Sequence, residues 1–181
     1  MIRIIGKIPH NLTVACSGGI DSMAVVHFLL QGKKKVNLAY FNHDTQHSHE
    51  AQEFVENYAS DNNLNLVIGR VQGLKGKRSL EEFWRDERYD FLHRISSNVE
   101  TWLMSSFHGQ SKLIPYHRGG NIYRPFLMTT KKAVKNYAER KQVPWIQDPS
   151  NQKTNFMRNH VRHNVMPQVL VVNPGLRTTI R

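Results

Sequence analysis

The sequence predicts an α/β fold, a parallel β-sheet with helices on both faces followed by a small C-terminal helical part. Three observations predict it. A β-prone run at 12–15 passes through Ser17-Gly18-Gly19 into a helix-like stretch from Ser22 to about Leu30. Three further strand-like segments, at 36–41, 64–68 and 101–105, alternate with helical patterns. Beyond Met128 the character changes to two basic helices.

The first strand-to-helix junction carries the strongest chemical signal. A helix entered this abruptly leaves N–H groups without carbonyl partners, and with the positive end of the helix dipole they form an anion site. Gly18 and Gly19 let the backbone approach a phosphate closely, and Ser17 and Ser22 add hydroxyl donors. Asp21 is placed to hold a Mg²⁺ that neutralises the phosphates. The spacing is not that of the Walker loop or of GxGxxG.

The remaining elements follow in order. Residues 1–10 form a lead-in broken by Pro9 and Asn11. The first helix is apolar on most sides (Met23, Val25, Val26, Phe28, Leu29) and ends at Gly32 and a lysine run. The second strand, 36–41, runs into Asn42-His43-Asp44, polar residues at the edge where open α/β sheets bind ligands; an Asx turn is the alternative there. A helix to about Asn62 follows, and His43, His47 and His49 lack the spacing of a structural zinc site. After the third strand comes a basic loop, 69–78, then a helix begun by a Ser79/Glu82 capping box. Arg85 and Arg88 share a face of that helix, placed either to grip phosphates or to pair with Glu81, Glu82 and Asp86. The fourth strand ends near His108 and Gln110, again at the ligand edge. A short extended piece at 123–127 precedes a helix capped by Thr130 and running to about Lys141. A second basic helix, from Asn155 to about Val165, is stopped by Pro167.

The chain of 181 residues is long enough for one domain, or one with a small appendage. With 25 Lys and Arg against 14 Asp and Glu, a net charge of +11 favours an anionic partner, nucleic acid first and a membrane surface second. A single cysteine excludes an internal disulfide and fits a reducing compartment. No signal peptide opens the chain and no apolar run is long enough to span a bilayer, so a cytoplasmic location without membrane attachment is expected.

Ser17-Gly18-Gly19-Ile20-Asp21-Ser22 resembles the PP-loop of the ATP pyrophosphatases, which cleave ATP between its α and β phosphates. Several stretches narrow the resemblance: Phe41-Asn42-His43-Asp44, Arg85-Asp86-Glu87-Arg88-Tyr89, Arg124-Pro125-Phe126-Leu127, and above all Asp148-Pro149-Ser150-Asn151 followed by Arg158-Asn159 and Arg162. With these, nearly the whole chain resembles the catalytic domain of the tRNA(Ile)-lysidine synthetase family. The resemblance implies a Rossmann-like, adenine nucleotide α-hydrolase-like sheet, with a PP-loop domain at 1–127 and a basic, tRNA-facing helical extension at 128–181.

It also implies the chemistry. ATP and Mg²⁺ are used to adenylate O2 of cytidine 34 in the anticodon of tRNA(Ile), and the ε-amine of free lysine then displaces AMP to give lysidine. Ser17, Gly18, Gly19, Ile20, Asp21, Ser22, Asn42 and His43 are the implied nucleotide contacts, with Asp21 on the metal. Asp21, His108 and Arg158 are the candidate catalytic residues. Arg85, Arg88, Arg124, Lys131, Arg158 and Arg162 are the candidate tRNA contacts.

One stretch departs from the family. Its His-His-x-x-Asp-Gln motif and glycine-rich loop are compressed here to Phe107-His108-Gly109-Gln110-Ser111-Lys112, with Arg118-Gly119-Gly120 beyond, and the carboxylate has no counterpart. Another residue, the partner subunit of a homodimer, or nothing takes its place. The alternatives are therefore a tRNA- or nucleotide-binding PP-loop protein whose catalysis is lost or altered, and a related PP-loop tRNA-modifying enzyme. A thiolase is disfavoured because Cys16 stands alone inside the first strand, as a small buried hydrophobe.

Overall fold

The computed structural model of the chain describes residues 2–96, 101–102, 122–126, 128–147 and 164–174. Among these, five parallel strands lie in the order β3-β2-β1-β4-β5: β1 (Asn11–Ala15), β2 (Lys35–Asn42), β3 (Leu66–Arg70), β4 (Thr101–Trp102) and β5 (Ile122–Tyr123). The helices are α1 (Ile20–Gln31), α2 (Gln46–Asp61), α3 (Leu80–Ser96), α4 (Lys131–Arg140) and α5 (Met166–Val172). The fold is α/β and Rossmann-like, as the sequence predicts.

Alternation along β2 divides the core. Leu38 and Tyr40 pack with Val14, Val26 and Val55 in one apolar cluster, whereas Ala39 and Phe41 pack with Phe91 and Leu92 of α3 in another. The side chains of α1, α2 and α4 join the first cluster, so the two faces of the sheet carry different helices. The strand order reverses between β1, which leads to β2, and β4, which is reached only after β3. In such sheets the crevice beyond the strand ends at the reversal is where ligands bind. The loop leaving β1 opens there.

Local chemistry explains most boundaries. Thr130 Oγ1 accepts the N–H of Ala133 at 3.2 Å, the expected cap of α4. Thr45 and Ser48 form a reciprocal capping box at the start of α2. Asn63 takes φ +51° after α2, and Leu64 N–H donates back to Ala59 O at 2.8 Å. That turn consumes the start of the strand expected at 64–68, so β3 lies two residues further on. The extended piece expected at 123–127 joins the sheet as β5, parallel to β4. The continuation of the fourth strand over 103–105 lies outside the described residues.

The chain divides into two compact units, 1–146 and 147–181, so α4 belongs with the first. The physical reason is that α4 packs on α1: Val134, Tyr137 and Ala138 are buried, and Tyr137 Oη lies 2.9 Å from His27 Nδ1. Pro167, expected to stop a helix, sits in the first turn of α5, where its missing N–H costs nothing. Most of the helix expected from Asn155 to Val165 lies outside the described residues. No helix among the described residues is long and apolar enough to cross a membrane.

Phe91 lies flat against Gly69. A β-carbon at residue 69 would stand 2.5 Å from the Phe91 ring, so the α3–β3 contact exists only because residue 69 has no side chain. Gly69→Ala is expected to cost about 1–3 kcal/mol of stability, the range for overpacking a close-packed contact. A urea midpoint lowered at unchanged slope would report this; an unchanged midpoint would contradict it.

Candidate functional site

The loop that leaves β1 is held by hydrogen bonds on both flanks. Cys16 N–H donates to Ala39 O of β2 at 2.9 Å, continuing the strand pairing. Ser22 Oγ donates to Gly19 O at 2.9 Å and accepts Ser17 N–H at 3.2 Å, tying the first turn of α1 to the end of the strand. Ser17 Oγ lies 3.3 Å from Ser22 Oγ. Gly18 takes φ +76°, and its carbonyl accepts Ile146 N–H at 2.9 Å. A β-carbon there would meet Ile146 at 3.0 Å, Phe54 at 3.3 Å and Val55 at 3.3 Å, so glycine is required both by backbone angle and by space.

The result is a helix start with no side-chain cap. Gly19 is the N-cap residue of α1 and makes no side-chain cap bond, so the first N–H groups of α1 find no carbonyl within the helix. Ser17 is exposed beside them, and Asp21 stands in the first turn. Backbone donors, the exposed Ser17 hydroxyl and one carboxylate thus lie at the positive end of a buried helix, while Ser22, its proton spent on Gly19 O, braces the loop. This set fits a polyphosphate, with Asp21 placed to hold a divalent cation against it. Cys16 belongs to the wall and not to the chemistry. Burial pushes its thiol up, and its Sγ lies 3.6 Å from Met23 Sδ.

At the neighbouring end of β2 the structure separates two residues that the sequence groups together. Asn42 is 1 % exposed. Its Oδ1 accepts Asp44 N–H at 2.7 Å and lies 2.7 Å from Ser48 Oγ, while Nδ2 donates to Gln52 Oε1 at 2.7 Å and to His49 Nδ1 at 3.3 Å. All its hydrogen-bonding capacity is spent on the turn into α2. The expectation that its side chain contacts a nucleotide is corrected accordingly; the Asx-turn alternative is what the structure adopts. His49 Nε2 in turn lies 3.2 Å from Asp44 Oδ1, and His47 lies 3.9 Å from Glu50, so two of the three loop histidines have local carboxylates.

His43 has no such partner. Its ring lies between Phe41, at 5.1 Å between centroids, and Trp84 of α3, at 5.3 Å. Its Nδ1 is buried without a hydrogen-bond partner among the described residues. Burial, and then the Arg88 guanidinium, lower its pKa to about 4, so the ring is neutral at neutral pH. Trp84 was not identifiable from sequence as a site residue; only its position one turn before Arg88 hints at it.

The cationic candidates fall into different environments. Arg85 lies 3.5 Å from Asp86 and 3.9 Å from Glu82, the pairing alternative that the sequence leaves open. Arg88 lies over the Tyr89 ring at 5.8 Å and acts electrostatically on His43. Arg124 is 2 % exposed and donates to Tyr89 Oη at 3.0 Å. A guanidinium so buried joins the end of β5 to α3, which corrects the expectation of an outward tRNA contact. Lys131 is exposed at the start of α4. His108, Arg158 and Arg162 lie outside the described residues.

Because His43 binds its proton more weakly when folded, acid favours the unfolded chain. Stability is expected to fall as pH drops from about 6.5 towards about 4. His43→Gln should flatten that part of the profile. Urea midpoints at pH 7 and pH 4.5 test this, and an equal acid loss in the variant would assign the effect to other groups.

Comparison with known proteins adds the following. A family described as the PP-loop domain matches residues 4–169. The tRNA(Ile)-lysidine synthase of Persephonella marina is 31% identical over 197 residues, which cover 94% of this chain and 44% of that protein. The tRNA(Ile)-lysidine synthase of Staphylococcus aureus strain COL is 28% identical over 189 residues, covering 88% and 44%. The chain therefore spans less than half the length of these curated relatives. Among solved structures, the NH3-dependent NAD synthetase of Campylobacter jejuni, in complex with a nitrate ion, aligns with a TM-score of 0.57 at 18% identity, over 96% of this chain and 80% of that one. That likeness is one of fold.

Proposed function

Because the chain belongs to the PP-loop domain family, we propose that it is an ATP-using ligase that converts cytidine 34 in the anticodon of tRNA(Ile) to lysidine. The observation that carries ATP use is the uncapped start of α1 behind Gly18, with Ser17, Ser22 and Asp21 converging on it. The choice of a tRNA base and of lysine is supported by the relatives, each a tRNA(Ile)-lysidine synthase.

In this reading the α1 N–H groups and the exposed Ser17 hydroxyl would hold the phosphates of ATP, with Ser22 bracing the loop beneath them, and Asp21 would hold a Mg²⁺. The metal supplies charge neutralisation as pyrophosphate departs. The fixed donors need no reorganisation when charge shifts on to the leaving group, which is how a preformed site lowers the barrier. The neutral His43 ring, in its aromatic slot at the neighbouring strand end, offers an apolar edge to the nucleoside part of ATP. O2 of the cytidine displaces pyrophosphate from the α-phosphorus. The lysine ε-amine then attacks C2, AMP leaves, and the amine loses a proton. His108 and Arg158 are retained as proposed catalytic residues, and Arg88, Lys131, Arg158 and Arg162 as proposed tRNA contacts. A cytoplasmic setting follows from a tRNA substrate.

A second reading is favoured by the compressed segment 107–112, which lacks the carboxylate of the resembling family. In that reading the protein binds tRNA and nucleotide without ligation. Incubation with ATP, Mg²⁺, labelled lysine and an unmodified tRNA(Ile) transcript bearing CAU separates the two. Incorporation of lysine by the wild type, lost in Asp21→Ala, is expected. Retention of tRNA on a filter without incorporation would establish the binding reading instead. Gly18→Ala should also abolish ATP-dependent turnover, since the loop cannot keep φ +76° with a β-carbon 3.0 Å from Ile146.

A further inference from the structure

We propose that a second recognition cleft, apart from the loop after β1, takes one unstacked base of the RNA substrate and its flanking phosphates at the C-terminal end of β3. The inference rests on the reading of the substrate as tRNA. A cavity of about 440 Å³ opens there between α2 and α3, within the range of small-ligand sites. Gln52 and Glu56 of α2 line one side and Arg94 of α3 another, over Phe91, with Arg70 and Gln72 at the rim. The strand is at the sheet edge, with no further strand beyond it among the described residues.

The charge distribution selects the ligand. Residues 70–78 contain Arg70, Lys75, Lys77 and Arg78 and no acidic residue. Arg78 is engaged by Asp86 at 3.4 Å and lies over the Phe83 ring. Arg70 is exposed, and among the described residues no carboxylate pairs with it. The loop is held in place from below: Gln72 N–H and Gly73 N–H both donate to Glu87 Oε2 at 3.2 Å. That anchorage keeps Arg70 and the Gln72 amide at the rim.

Glu56 decides between a bare phosphate and a nucleotide. A carboxylate in the wall opposes a phosphate but accepts from the N–H edge of a base. Its Oε1 already accepts Gln52 Nε2 at 2.9 Å, and Gln52 Oε1 is fixed by Asn42 at 2.7 Å. The carboxylate is thereby oriented from the buried turn at the end of β2. Phe91, 5 % exposed, gives an apolar floor. Guanidinium at the rim, carboxylate and amide in the wall, and an apolar floor match a splayed nucleotide of single-stranded RNA with a donor-bearing base: cytosine, adenine or guanine.

Filter binding of the unmodified tRNA(Ile) transcript between 50 and 200 mM KCl tests the cleft, using wild type, Arg70→Ala, Arg70→Lys and Glu56→Gln. Arg70→Ala should weaken binding about fivefold at low salt and lower the salt slope by about one. Arg70→Lys should keep the slope. Glu56→Gln should weaken binding about threefold with the slope unchanged, as expected for a base contact. ATP binding, read separately, should be unaltered in all three. Unchanged tRNA affinity and slope in Arg70→Ala would overturn the inference while leaving the ligase reading intact. Loss of ATP binding in these variants would overturn it too, because the cleft would then belong to the nucleotide site. A wild type that binds ATP but no tRNA would remove the tRNA reading itself.

Discussion

The hydrogen bond from Ile146 N–H to the Gly18 carbonyl, 2.9 Å long, fixes the shape of the loop on which the site depends. It holds a peptide whose φ of +76° places the next residue, Gly19, at the mouth of α1 in an extended conformation. Ile146 on one side and Phe54 and Val55 of α2 on the other fill the space a Gly18 β-carbon would need, so two separate parts of the chain enforce one backbone angle. Residues 143–146 follow α4, and Val143 is buried in the main core. The helix that sequence reading gives to a C-terminal appendage is therefore structurally part of the body that shapes the loop. The anion site has a distant support, and the support is made of packing.

A second constraint lies one strand over. Asn42 terminates β2 and starts α2 with four hydrogen-bonding contacts from one side chain. A buried amide can be tolerated only when satisfied in this way. The consequence is a rigid turn with Asp44 at φ +60°, and His43 held beside it in an aromatic slot. Adjacent residues thus divide the work: Asn42 serves the fold, and His43 faces the open end of the sheet as a neutral ring. The same amide reaches through Gln52 to Glu56, so one turn orients groups at two places.

Legibility in the sequence followed the range of the forces involved. Helices α1, α2 and α4, the cap at Thr130 and the loop at 17–22 rest on residues within a few positions of each other, and the sequence displays them directly. The strand at 36–41 was legible in the same way. What escaped were matters of distant partners. Nothing near Arg124 announces that Tyr89 will take its guanidinium, and nothing near Asn42 announces Gln52. The shift of β3 came from a left-handed Asn63, a conformation that asparagine tolerates but does not demand. The pattern of α4, with Val134, Tyr137 and Ala138 inward and its lysines outward, is local and legible; that its apolar side meets α1 depends on distant partners.

The cations complete the argument. A net charge of +11 suggests a broadly anion-seeking surface, yet the structure spends many of its guanidiniums internally. Arg78 and Arg85 pair with Asp86, and Arg124 is buried on Tyr89. Arg85 and Arg124 were candidate tRNA contacts by sequence on the same footing as Lys131. Other cations stay at the solvent, among them Arg70, Lys75 and Lys77 after β3, Lys33 and Lys35 after α1, and Lys131, Lys132 and Arg140 on α4. Exposed lysines far from a partner add little individually and are screened within about 10 Å at ordinary salt. Arg70 differs from them in standing beside a cavity, at the start of a loop that the Glu87 carboxylate holds from beneath, which is why the proposed cleft is placed there. Recognition by this chain is in that sense a question of which cations folding has left unspent.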